Sequence, residues 1–375
     1  MLVYLSLLVI ICLDFLIEYL LNKKNVLSQE KIWCKFLKFF FRFRVLTITA
    51  LCFVSTFRDL TVGGDTVHYS NFFINLRNNN VSWSKYEFGF TFFNYIFTIT
   101  GLDVRIIFFV TALFVSICFV VFINKFSPNK IMSLLLYVMF AIFAQGLSAI
   151  RQIIAIGFVL LALISISDKK LWRSLLLIAC ASLFHTSAAL CFIIVPARYI
   201  KFNHWWVLGS LVVVCIVSLC LPFVLKIAET IVPAFNYYTL YYVTDNYFQP
   251  TNLFNILYSL GMIAIFITLY LARFKWFKDE LEKDKYFTFF LSLFMIVPLI
   301  RIAGFIIGLE SLLNRINMYF FYLLIILVPK FLNCFKKFNH YEWLVGLTYM
   351  AAFVYMILIY TVHDSCSVVP YIFWF

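Results

Sequence analysis

In an apolar chain, chemistry is done by the few side chains that carry charge or a titratable proton, and here they cluster. Arg58-Asp59-Leu60-Thr61-Val62-Gly63-Gly64-Asp65-Thr66 runs on to His68 and Tyr69, and Tyr86-Glu87-Phe88-Gly89-Phe90 follows. Further along stand Ser148-Ala149-Ile150-Arg151-Gln152, His185-Thr186-Ser187, Arg301, Glu310 to Asn314 with Arg315, and His363-Asp364. Arginine holds anions through a permanent charge and a bidentate fork. A positioned His, Asp or Glu takes or gives a proton. Anion binding beside proton transfer is therefore the chemistry these residue types allow. Each also has a plainer reading: Gly63-Gly64 as a tight turn, Arg151 as a helix-end residue snorkelling to the interface, His185 as a hydrogen-bonded packing residue. Arg301 lies in the apolar run Met295 to Gly304. An Arg at a helix centre costs about 2.5–3.5 kcal/mol on insertion scales, so a partner or an aqueous cavity is expected there. Asp14 and Glu18, one turn apart, read as a helix-packing feature.

The run Phe235-Asn236-Tyr237-Tyr238-Thr239-Leu240-Tyr241-Tyr242 has two readings. It is either a belt of interfacial aromatic anchors or a platform for the apolar faces of sugar rings, with Asn236, Asp245, Asn246 and Asn252 adding hydrogen bonds. No His and carboxylate spacing of a metal site accompanies these groups, and no metal or other cofactor is expected. The ten cysteines contain no C-x-x-C pair and read as small hydrophobes.

The elements that position these groups must be membrane helices. Of the 375 residues, 64% are hydrophobic and only 13% charged, with a mean hydropathy of +0.98, whereas soluble domains carry about 25% charged residues. The expected fold is all-α, a polytopic helical bundle forming one transmembrane domain over 1–375. A bilayer core of about 30 Å needs about 20 helical residues. Apolar runs near that length give Leu2 to Leu21, Phe39 to Phe57, Val104 to Ile123, Ile131 to Leu147, Gln152 to Ile166 and Leu171 to Phe184. Ser187 to Ala197, Trp205 to Leu225, Phe254 to Ala272, Phe287 to Ile307, Asn317 to Val328 and Leu344 to Tyr360 bring the expectation to about 12 transmembrane helices. Gly89 to Thr100 spans only about 18 Å as a helix, so it is expected as a re-entrant or interfacial segment. The first apolar run has no basic residue before it and no small-residue cleavage site after it, and reads as a retained helix.

The net charge of +13 is explained by orientation, without nucleic acid as a partner. Lys and Arg gather in alternate loops: Lys23 to Arg44, Lys125 to Lys130, Lys169 to Arg173, Arg198 to Lys201, Arg273 to Lys285 and Lys330 to Lys337. Cytoplasmic loops are enriched in both residues. Both termini are then expected outside, with a break at His185 near the outer surface. The polar groups above collect on that same outer face, where loops 58–103 and 226–253 contribute.

Arg58-Asp-Leu-Thr-Val-Gly63-Gly64-Asp65-Thr66 with Tyr69, Glu87-Phe-Gly89-Phe, Ser148-Ala-Ile-Arg151-Gln152, Phe184-His185-Thr186-Ser187-Ala188 and Arg315-Ile-Asn-Met-Tyr319-Phe occur in this order. This series resembles the EpsG-like family, which groups with O-antigen (Wzy-type) and exopolysaccharide polymerases. The resemblance covers most of the chain and fades between Asn203 and Arg273. It implies a multi-pass enzyme of the bacterial inner (cytoplasmic) membrane with its site facing the periplasm. Such an enzyme polymerises undecaprenyl-diphosphate-linked oligosaccharide repeat units into O-antigen, capsular or exopolysaccharide chains, beside a chain-length regulator protein in some systems.

Under that resemblance, a lipid diphosphate is a good leaving group whose charge must be bound, and Arg58, Arg151 and Arg315, with Arg301 in reserve, are the expected ligands. His185, Asp65 and Glu87 are the alternatives for the base that takes the acceptor proton, with His185 ranked first. Tyr69, Tyr237, Tyr238 and Tyr241 are the expected sugar contacts. Two rival classes stand beside the polymerase. A flippase or transporter of lipid-linked oligosaccharide would place ionisable groups along a path through the bilayer and show internal repeats, which the chain lacks. A membrane acyltransferase modifying surface glycans would also use a histidine.

Overall fold

A computed structural model describes residues 1–24, 32–231, 253–307, 310–363 and 366–375, without the side chains at 221–222, 224–231 and 310–312. Of the described residues 81% are helical, and none of them forms a strand. Tyr237, Tyr238, Tyr241 and Asp364 lie outside the described residues.

Two compact units divide the chain, Met1–Phe192 with Val328–Phe375, and Ile193–Leu327. The first begins with α1 (Leu2–Lys23), α2 (Ile32–Arg42), α3 (Val45–Thr56), α4 (Thr66–Arg77) and α5 (Phe88–Ile99). It continues with α6 (Arg105–Phe126), α7 (Lys130–Met139), α8 (Ile142–Ser148), α9 (Ile150–Ser167) and α10 (Leu171–Phe184). Its centre is α6, apolar around its circumference and buried against α3 and α9, as expected of a helix inside a bundle.

Among the described residues six helices are long and apolar enough to cross a membrane: Leu2–Lys23, Arg105–Phe126, Ile150–Ser167, Leu253–Trp276, Lys285–Ile307 and Tyr341–Val362. The bent pairs Lys130–Met139 with Ile142–Ser148, at 46°, and Leu313–Phe321 with Leu324–Asn333, at 41°, raise the number to eight. The first bend has a local cause, since Ala141 adopts a left-handed φ of +58° that no α-helix can contain. Each of the twelve expected spans falls on helix, but several are shorter than a bilayer crossing. The expected span Phe39–Phe57 is corrected: Arg44, at φ +54°, breaks it into the end of α2 and the 12-residue α3. The break at His185 is present, with extended backbone there and a 3-10 turn over Thr186–Ile193. The segment at Gly89 is the 12-residue α5.

At one end of the first unit the loop after α3 is laced to the last ten residues. Gly63 and Gly64 donate their N–H groups to the carbonyls of Ser367 (2.7 Å) and Cys366 (3.1 Å), Asp59 N–H donates to Ile372 (2.9 Å), and Trp374 N–H to Phe57 (3.0 Å). Tyr4 near the N-terminus donates its hydroxyl to the Val368 carbonyl (3.0 Å). Both chain ends therefore meet at the end of the unit that carries Gly63. The glycine pair is a turn whose amides are already spent on backbone carbonyls. Gly63 has φ +97°, and a Cβ there would stand 2.6 Å from Thr66 Oγ1 and 2.7 Å from the Leu147 carbonyl. Gly63→Ala is expected to cost about 2–4 kcal/mol, because backbone strain and overpacking coincide. Gly64→Ala, whose Cβ meets the movable Ser148 Oγ at 3.3 Å, is expected to cost less than about 1 kcal/mol. Thermal unfolding of the two purified variants in one detergent separates them, and equal Tm values would contradict the turn assignment.

The second unit contains α11 (Ile194–Ala197), α12 (His204–Ile231), α13 (Leu253–Leu271) and α14 (Lys278–Lys283). It continues with α15 (Lys285–Phe294), α16 (Ile296–Ile307) and α17 (Glu310–Phe321). Ala303 and Ile307 are buried in it against Val214 and Leu313.

Candidate functional site

Three motifs far apart in sequence meet in the first unit because α10 packs on both α9 and α5, and α4 packs on α5. Gly89 makes the approach of α5 to α10 possible: a Cβ there would stand 2.7 Å from the Leu183 carbonyl. Glu87, immediately before α5, is thereby brought to His185, immediately after α10. Arg151 comes from the first turn of α9.

The resulting cluster is tightly paired. Arg151 Nη1 lies 2.5 Å from Glu87 Oε2, and His185 Nδ1 lies 3.3 Å from Glu87 Oε1. The same Oε1 accepts from the backbone N–H and the hydroxyl of Thr186, both at 3.2 Å. Arg151 Nε donates to the Tyr69 hydroxyl at 3.5 Å, and the guanidinium lies 4.5 Å from the centre of the Tyr86 ring. Tyr69 and Tyr86 pack with Phe72 and Phe90 beneath this polar layer. The Arg151 side chain keeps 21% of its surface exposed, so its fork is only partly used by Glu87. His185 is nearly buried, and both of its ring nitrogens lack a hydrogen bond of good geometry. A buried polar atom without a partner is costly, and a bound hydroxyl or water would relieve it.

Burial pushes the Glu87 carboxyl up, but His185 and the Arg151 guanidinium more than reverse this and hold it well below the usual carboxylate range. Burial pushes the Tyr69 phenol up to about 12, so it remains a neutral hydroxyl. A depressed folded pKa means that Glu87 contributes stability fully above its unfolded value of about 4.3 and loses it as pH falls toward the folded value. The gap in Tm between wild type and Glu87→Gln is accordingly expected to be the same at pH 7 and pH 5 and to narrow only below the ordinary carboxylate range. A gap that closes already between pH 7 and pH 5 would contradict the pairing.

Asp65, exposed at the start of α4, acts electrostatically on Tyr69 and Tyr86 and so borders the cluster. Arg58 does not join it. Its side chain is 1% exposed, with Nη1 donating to the Ser55 carbonyl (2.9 Å) and hydroxyl (3.0 Å) and Nη2 to the Leu147 carbonyl (3.0 Å), over the ring of Phe108 at 4.3 Å. Its donors tie α3 to the end of α8, a structural role that stands beside the expected one of anion ligand. Arg301 and Arg315 belong to the second unit. Arg301 is buried over the Tyr258 ring at 4.3 Å, and Arg315 is exposed on α17. Asp14 and Glu18 both meet Arg44, in agreement with a packing role.

Tyr86 and Thr186, to which the sequence assigns no role, also join the cluster, and the signal for each is its place next to a candidate in the same motif. Among the described residues no group of three or more His, Cys, Asp and Glu is placed to hold a metal ion.

The sequence model described as the EpsG family matches residues 41–373. No curated protein and no solved structure matches the chain.

Proposed function

The chain belongs to the EpsG family, whose EpsG-like members are Wzy-type polymerase-like, and on that premise we propose that it is a membrane glycosyltransferase that polymerises undecaprenyl-diphosphate-linked repeat units at the periplasmic face. The observation that carries this reading is the meeting of Glu87, Arg151, His185 and Tyr69 at the end of one unit, with a partly open guanidinium beside an imidazole that faces Glu87 through Nδ1 and whose Nε2 has no hydrogen-bond partner. A helical chain with six to eight candidate spans supports a multi-pass location. The alternation of basic loops supports an inner-membrane orientation with both termini outside, on the side of this cluster. Twelve crossings require the shorter apolar helices to be counted as spans.

In the proposed reaction Arg151 binds the diphosphate of the donor and stabilises the charge that builds on it as the bond to the anomeric carbon breaks. His185 Nε2 takes the proton of the acceptor hydroxyl while that oxygen bonds to the anomeric carbon, and the lipid diphosphate leaves with the bonding electron pair. Glu87 is the positioning residue: ionised, it selects the Nδ1–H tautomer of His185 and anchors Arg151, as a carboxylate does for the base of a catalytic triad. Tyr69 and Tyr86 offer rings and a hydroxyl to the sugar, and Asp65 is the alternative base or a sugar ligand. Tyr237, Tyr238 and Tyr241 stay proposed sugar contacts, and Arg301 and Arg315 proposed phosphate ligands carried by the second unit.

The test is the gel profile of surface polysaccharide from a strain lacking the protein, complemented with wild type, Arg151→Ala or His185→Ala, each verified in the membrane. A single repeat unit in place of the ladder is expected in the deletion and in both variants. Complete loss of surface glycan would point to a flippase, and a full ladder of altered antigenicity to a modifying enzyme; either would overturn the reading.

A further inference from the structure

The helix α2 takes no part in the cluster, and its sequence, Ile-Trp-Cys-Lys-Phe-Leu-Lys-Phe-Phe-Phe-Arg, divides into three faces. At about 100° per residue, Lys35, Lys38 and Arg42 fall within an arc of about 60°. Cys34 and Phe41 are buried toward the protein. Ile32, Trp33, Phe36 and Phe39 are exposed, Ile32 at 85% and Trp33 at 76%. Such a row of large apolar side chains is not stable in water, and its position between α1 and α3 puts it at a bilayer surface. The basic edge has no acidic residue on the helix and no ion-pair partner among the described residues.

The mounting is rigid. Arg44, in the left-handed corner between α2 and α3, is held by Glu18 at 2.5 Å and by Asp14 at 3.9 Å, and stacks on Phe15 at 3.6 Å. Asn124, near the end of α6, donates to the Arg42 carbonyl at 2.8 Å. The corner thus fixes the direction in which α2 leaves α3.

From these observations we infer that α2 is an in-plane helix whose aromatic face enters the bilayer and whose Lys35, Lys38 and Arg42 edge binds the phosphates of anionic phospholipids. The charge of the edge selects the headgroup, and the adjoining aromatic face places that edge at headgroup depth.

Full-length protein purified in detergent is titrated with phosphatidylglycerol, and with phosphatidylcholine as the zwitterionic probe, and retained lipid is quantified by mass spectrometry. Wild type is expected to prefer phosphatidylglycerol, and the triple variant Lys35→Gln, Lys38→Gln, Arg42→Gln to lose about 10- to 100-fold in that affinity with phosphatidylcholine unchanged. Lys169→Gln with Lys170→Gln, which removes two exposed charges elsewhere, is expected to change nothing. On unaltered protein, raising salt is expected to weaken phosphatidylglycerol retention alone. Equal retention by wild type and triple variant, an equal loss in the Lys169 and Lys170 variant, or retention independent of salt would each overturn the inference.

Discussion

Arg151→Ala is expected to lower the rate of chain growth by about 10²- to 10³-fold, the size seen when one preorganised donor to a developing negative charge is removed. The guanidinium is held at 2.5 Å by Glu87 and against the Tyr86 ring, so it is in place before substrate arrives. Its remaining donors and its 21% exposed side chain are what a diphosphate would meet. Arg151→Lys keeps the charge without the fork and is expected to restore only part of the rate, since one ammonium cannot serve Glu87 and the anion in the same bidentate way. Product ladders from purified enzyme and a lipid-diphosphate-linked repeat unit measure both variants, with helicity and elution volume as controls for folding. A wild-type rate in Arg151→Ala would remove the cluster from the reaction.

Arg58→Met is expected to act on the fold before it acts on any rate. Met matches the buried stem of Arg58 but leaves the Leu147 and Ser55 carbonyls without their donors, at about 1–3 kcal/mol for each buried unsatisfied group. A destabilisation of about 2–5 kcal/mol follows, read as a lower Tm of the purified variant and faster proteolysis between α3 and α4. The two variants therefore separate: Arg151→Ala loses activity while its Tm falls no further than that of Glu87→Gln, which breaks the same pair, whereas the main effect of Arg58→Met is on Tm. Unchanged stability in Arg58→Met would contradict this structural role and favour the expected role of Arg58 as a substrate ligand.

The contrast between these two arginines marks the limit of the sequence. In sequence both are polar residues beside apolar helices, each inside a short motif. Nothing in the motifs says that Arg58 points inward, to the carbonyl of Leu147 89 residues away, while Arg151 points to Glu87 64 residues away. The C-terminal tail is equally unreadable: Cys366 to Trp374 has no periodicity of its own, and its hydrogen bonds reach Phe57, Asp59, Gly63 and Gly64 after α3 and Tyr4 on α1. Tertiary context also shortened the second expected span, because the cost of the left-handed Arg44 is offset by Glu18 and Asp14 on another helix.

By itself the sequence determined the helical class, the run of membrane-length apolar segments, the break at His185 and the motifs shared with its family. These follow from local quantities: hydropathy summed over about 20 residues, charge at segment ends and residue order. Only the tertiary structure decided which charged groups are joined, that Glu87, Arg151 and His185 form one cluster, and that Arg58 closes a turn. The physical reason is that ion pairs and buried hydrogen bonds act over a few ångströms, and chain folding alone brings residues so distant in sequence within that range.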